Sequence, residues 1–93
     1  MSKNSISVAA VGPGRYRVNV AAAVSTSHEV TLPDEYLTTL GVDAGPPEKV
    51  IEESFRFLLE REPNTSILRS FSLPVIESYF PEYRAEIKQR LPS

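Results

Sequence analysis

Ninety-three residues, 41% of them apolar, with ten basic against twelve acidic side chains, describe a single small globular domain and not a disordered chain. The lack of any cysteine excludes disulfides, thiolate metal sites and a cysteine nucleophile, and no apolar run reaches the roughly 20 residues that a membrane-spanning helix requires. A domain of this size buries only about two-thirds of the surface its unfolded chain exposes, so association with a second subunit is expected.

The net charge of −2 is unevenly spread. Lys3, Arg15 and Arg17 stand against Glu29 in residues 1–32, whereas residues 33–62 hold eight carboxylates against Lys49, Arg56 and Arg61. An acidic middle repels phosphate and argues against nucleic acid as a partner of that face.

Residues 1–5 read as a polar tail, residues 6–32 as strands and residues 33–91 as a helical part of one domain spanning 1–93. "ISVAAV" and "RYRVNVAAAV" flank "GPG", whose glycines and proline suit a reversal of direction, so a β-hairpin is predicted. In its second strand Tyr16, Val18, Val20, Ala22 and Val24 fall on one face and Arg15, Arg17 and Asn19 on the other. The only stretch like a signal-peptide core, "VNVAAAV", fits this strand better, and a cytoplasmic location is the expectation. A third short strand, "HEVTL", follows.

From Pro33 the pattern turns helical. "LPDE", "PPE" and "FPE" each set proline at a helix start, where its missing N–H breaks no intrahelical bond, and an acid just behind it near the positive end of the helix dipole. Pro74 fits the same rule. A short helix over residues 33–40 should end at Gly41, suited to the left-handed position past a helix terminus. The central helix is expected over 47–61, where Val50, Ile51, Ser54, Phe55, Phe57, Leu58 and Leu59 share a broad arc. Lys49 with Glu53, Glu52 with Arg56 and Arg56 with Glu60 are charge pairs on its other face. Asn64 is placed to cap a short turn, "SILRSF", ahead of two further short helices.

"EVTLPDEYLTTLG" followed by "PPEKVIEESFRFLLERE", Glu29 to Glu62, resembles the ribbon-helix-helix family in the order of its elements. That resemblance implies a dimeric DNA-binding regulator whose ribbon strand pairs with its twin and enters the major groove. The base-reading donors that such a ribbon needs are absent from Glu29 and Thr31, and the ribbon here follows a hairpin. "SFRFLLEREPNTSILRSFSLPVIESYFPEY", Ser54 to Tyr83, is similar to a family of short bacterial proteins with no assigned function. This implies a small standalone cytoplasmic protein and brings no chemistry with it.

His28 is the only histidine, so a Ser-His-Asp arrangement would depend on this one ring; the simpler reading is a strand residue at the sheet edge. Glu48 and Glu52 stand one helical turn apart without a Glu-x-x-His motif to complete a metal site, and a solvated face accounts for them. "NTS" at Asn64 is formally a glycosylation acceptor, with the helix-cap role preferred. Tyr16 points away from Arg15 and Arg17, so a basic, aromatic RNA platform is not formed. No catalytic, cofactor or metal residues are assigned. The candidate partner site lies in "SYFPEYRAEI" and beyond, with Tyr79, Phe80, Tyr83, Ile87 and Leu91, which can equally complete a small core.

The sequence therefore predicts an α+β domain: an antiparallel sheet of two or three N-terminal strands packed on the helix at 47–61, with short flanking C-terminal helices. The expected function is non-enzymatic, a small cytoplasmic interaction or regulatory protein that forms a homodimer. The alternative is a ribbon-helix-helix-type DNA-binding regulator.

Overall fold

The structure, a computed structural model, describes residues 5–33, 35–40 and 46–91. It has the mixed α+β class, with four strands in place of two or three. β1 (Ser5–Gly12), β2 (Arg15–Ala21) and β3 (Thr26–Thr31) form an antiparallel meander, and β4 (Ser70–Ser72) returns from the C-terminal half to lie parallel to β3. The order across the sheet is β1-β2-β3-β4. β4 has three residues, too few to show a period of two, and is held by its flanks: Glu29 N–H donates to Arg69 O at 2.7 Å and Leu73 N–H to Thr31 O at 2.9 Å.

The two-residue turn Pro13-Gly14 joins β1 to β2, with Gly14 in the left-handed region at φ 66°. A methyl group added there would meet Leu32 O at 3.0 Å, so the position demands glycine both for conformation and for space. Tyr16, Val18, Val20, His28 and Val30 are buried on one face, while Arg15, Arg17, Asn19, Ser27 and Glu29 face water. The alternation expected to run to Val24 stops at Ala21, after which the chain bends and Val24 is 58% exposed.

α2 (Pro47–Leu59), two residues shorter than expected, covers the inner face of the sheet and buries Val50, Ile51, Ser54, Phe55, Phe57 and Leu58 of the arc read from its periodicity, with Leu59 half-buried. Pro47 opens it as expected. Outside, Lys49 pairs with Glu53 at 3.5 Å and Arg56 with Glu52 at 2.6 Å; Glu60 turns instead to Arg61 and Arg90. α1 (Tyr36–Leu40) starts three residues after Pro33, because Glu35 adopts a left-handed φ of 69° that interrupts a continuous helix. Gly41, expected to cap it, lies outside the described residues. α3 (Val75–Tyr79) follows Pro74, and α4 (Tyr83–Arg90) starts two residues after Pro81. No helix among the described residues is long and apolar enough to cross a membrane.

Candidate functional site

His28 sits in an inner strand and not at the edge of the sheet; it is 2% exposed. Its Nδ1 lies 2.7 Å from Leu68 O and its Nε2 2.8 Å from Thr26 Oγ1. A carbonyl can only accept, so Nδ1 carries a proton, and in the neutral ring Nε2 accepts from the Thr26 hydroxyl. Thr26 Oγ1 in turn accepts from Asn64 Nδ2 at 2.9 Å, and the same amide donates to Val24 O at 2.7 Å. Both imidazole nitrogens are engaged, which leaves no free base, and the ring lies 5.3 Å from that of Phe55 in the core. His28 is thus a strut between β3 and the segment before β4. Asn64 does not cap the 3-10 turn Asn64–Ser66; it is buried and reaches back to the sheet instead, and its amide nitrogen is fully occupied.

This strut shapes the surface. With Leu68 O held on His28, Ile67 turns into the core at 6% exposure and the Leu68 side chain turns out at 49%. Leu68 then forms one wall of an apolar groove of about 380 Å³, with Leu58 and Glu62 of the central helix region, Phe71 of β4, and Tyr79 and Phe80 at the end of α3. Tyr79 is 65% exposed and Phe80 half-buried at the rim.

The five residues proposed from sequence are therefore divided. Tyr79 and Phe80 stand at the groove, whereas Tyr83, Ile87 and Leu91 are fully within the core and cannot form an outer seam in the folded chain. The division follows from Phe80, where the chain leaves helical geometry (φ −133°, ψ 90°) ahead of Pro81. α3 and α4 consequently present different faces. Phe80 and Tyr83 meet the Phe57 ring edge-on at 5.9 and 5.3 Å, so the aromatic run caps one end of α2.

Tyr83 O–H donates to Ser54 Oγ at 2.6 Å, because the one Ser54 proton goes to Val50 O at 2.8 Å. Burial pushes the Tyr83 hydroxyl above its ordinary pKa. α3 is fastened by Glu77, which accepts from the Tyr36 hydroxyl and from Arg84 at 3.1 Å, while Arg84 also donates to Thr39 O at 3.2 Å. Burial and the bond to Glu77 raise the Tyr36 pKa.

The charges around the groove are unequal. Arg61 lies 3.7 Å over the Phe57 ring and donates to Glu82 at 3.1 Å; Arg90 donates to Glu60 at 2.7 Å and holds its carboxyl below the ordinary range. Glu62, at the rim, has no ion pair among the described residues. The groove thus offers apolar walls and one carboxylate free to meet a cation. Ser66 and Glu62 both line it, with no side-chain hydrogen bond between them, and no cluster of three or more metal-ligating His, Asp or Glu side chains occurs among the described residues. The signals that mark it, Leu68 and Phe71, are ordinary apolar residues until the His28 strut turns one of them outward.

The segment likened to a ribbon, β3, is hydrogen-bonded to β2 on one side and β4 on the other, so it has no free edge for a twin. Its outward Glu29 is 3.6 Å from Arg17 across the strands. No family model, curated protein or solved structure matches the chain.

Proposed function

We propose that the protein is a non-enzymatic, cytoplasmic interaction or regulatory protein that self-associates and receives an apolar segment of a partner protein in the groove between Leu68 and Tyr79. The observation that carries this reading is the groove itself: two exposed large apolar side chains, Leu68 and Tyr79, face one cleft beside the carboxylate of Glu62, which has no ion pair among the described residues. Apolar cores with a polar rim are the ordinary anatomy of protein interfaces, and an acidic rim favours a segment that carries lysine or arginine next to its apolar anchors.

Affinity capture from the native host with the wild-type chain and with Leu68→Asp as baits tests it. Leu68 is exposed, so the substitution should leave the fold intact while placing a charge in the groove. A partner retained by the wild type and lost with Leu68→Asp, carrying a basic and apolar segment, is the expected result. A partner set that the substitution leaves unchanged removes the groove from the reading, and turnover of a substrate by the purified chain removes the non-enzymatic assignment.

A further inference from the structure

The sheet has two outer strands, and they are built differently. β4 has three residues and is followed two positions later by Pro74, a short edge that offers little ladder to an incoming strand. β1 has eight residues, Ser5–Gly12, with neither a charge nor a proline among them, in a chain where 24% of residues are charged. Of the devices that normally blunt an edge strand, it carries only an irregularity between Ala10 and Gly12, at its turn end. From Ser5 to Ala10 it runs in unbroken register with Ala21 to Tyr16 of β2 and, among the described residues, has no other strand beside it. Alternate residues along that stretch turn peptide N–H and C=O groups outward without a ladder partner.

The side chains point the same way. On the inner face Val18 and Val20 of β2 are 0% and 1% exposed, whereas Ile6 and Val8, their neighbours on β1, pack against the core yet stay only half-buried. The open edge beyond β1 is the difference between the two strands. On the outer face Ser5, Ser7 and Ala9 are small and exposed.

We infer that β1 pairs antiparallel with β1 of a second copy of this chain, joining two four-stranded sheets into one of eight strands. The inference rests on the self-association proposed above and gives it a surface. A second copy is the occupant that fits, because a twofold axis perpendicular to the sheet sets wet face beside wet face and Ile6 and Val8 beside their own twins. An uncharged strand opposes itself without like-charge repulsion, which its charged counterparts elsewhere in the chain would not. The other surface read from the sequence, the stripe Tyr83, Ile87, Leu91, is inside the core. A strand pair by itself falls at the small end of specific interfaces, under about 1,200 Å², so the association belongs in the micromolar range.

The chain has no cysteine, which makes introduced ones clean reporters. Ser5→Cys, Ser7→Cys and Ala9→Cys, oxidised singly and in pairwise mixtures, read the register. Residues directly opposite in an antiparallel pair have Cα atoms about 4.5–5.5 Å apart, within the roughly 4.4–6.8 Å that a disulfide spans, and a slip of two residues leaves that range. One position, one mixture, or, where Ser7 faces its own twin, Ser7→Cys together with the Ser5→Cys/Ala9→Cys mixture should cross-link at least about tenfold more than the others. In sedimentation velocity the double variant Ser7→Lys/Ala9→Lys, altered only at exposed positions, should associate about tenfold more weakly or worse, with the wild-type circular dichroism and melting temperature. A wild type that stays monomeric up to about 500 μM overturns the self-association reading and this inference together. A wild-type dimer that survives the lysine pair, or that cross-links equally at every position, overturns the β1 assignment and leaves self-association standing.

Discussion

Two buried polar links hold this small core together, and they do different work. Tyr83 to Ser54 joins α4 to α2 entirely within the interior. The chain Asn64, Thr26, His28, Leu68 O joins the sheet to the connection ahead of β4 and ends on a residue whose side chain is outside. Both satisfy polar atoms that burial would otherwise penalise. Only the second sets the position of a surface wall, so the first should govern stability alone and the second should govern the groove as well.

The largest effect is expected at the first link. Tyr83→Ala removes a fully buried ring that Phe57 packs against and strands the Ser54 hydroxyl's partner site, so a loss of about 3–5 kcal/mol is expected from urea unfolding, the range for large-to-small aromatic changes. Tyr83→Phe should keep most of that and lose only the hydrogen bond, about 1 kcal/mol. If the two variants proved equally damaging, the packing account of this link would be lost.

The same hydroxyl sharpens the comparison through pH. Burial raises the Tyr83 pKa in the folded chain above the ordinary value of 10.0, with Tyr36 shifted the same way by burial and by Glu77. Below pH 10 both states keep the proton and the contribution is constant; above it the unfolded chain ionises first and binds fewer protons, so stability falls as pH rises. Melting temperatures between pH 8 and 11 should show that fall, and Tyr83→Phe should flatten part of it.

A smaller loss of stability with a larger local change is expected at the second link. His28→Leu leaves Leu68 O and the Thr26 hydroxyl without their partner, a cost of about 1–3 kcal/mol. Amide exchange should accelerate at residues 67–70 and the Leu68→Asp-sensitive surface should change with it. Ser54→Ala, a substitution at the other link, should leave exchange at 67–70 as it was. Loss of protection at those residues in both variants would show that the links are not separate.

This contrast also marks what could be read from the sequence. α2 and the hairpin were legible because their patterns are local: the arc from Val50 to Leu58 repeats every 3.6 residues, and Tyr16, Val18 and Val20 alternate with Arg15, Arg17 and Asn19. β4 was hidden since three residues show no period and its partner strand lies some 40 positions away. The His28 and Asn64 bonds span 40 and 38 to 40 positions and join unremarkable residue types, so spacing carried no trace of them. The stripe Tyr83, Ile87, Leu91 was visible as a stripe, but its destination was not. An apolar row at intervals of four suits a core and a partner equally, and only the break at Phe80 turns α4 inward while leaving Tyr79 outside.

The smallest effect is expected at a contact that is short but exposed. Arg56 Nη2 lies 2.6 Å from Glu52 on the outer face of α2, no longer than the bond from Tyr83 to Ser54. Distance alone would rank the two together. The ion pair, however, joins side chains 49% and 29% exposed, so water competes for both partners and holding two long side chains in one geometry costs entropy. Arg56 also divides itself between Glu52 and Glu53, the latter at 3.7 Å, which weakens its dependence on either carboxylate. A double-mutant cycle through Glu52→Ala and Arg56→Ala should therefore return a coupling of about 0.3–0.5 kcal/mol, as helical pairs four apart do. It should shrink further at about 1 M salt, where screening acts within roughly 3 Å. A coupling that matched the Tyr83 hydroxyl and ignored salt would mean that exposure does not separate the surface of this protein from its interior links.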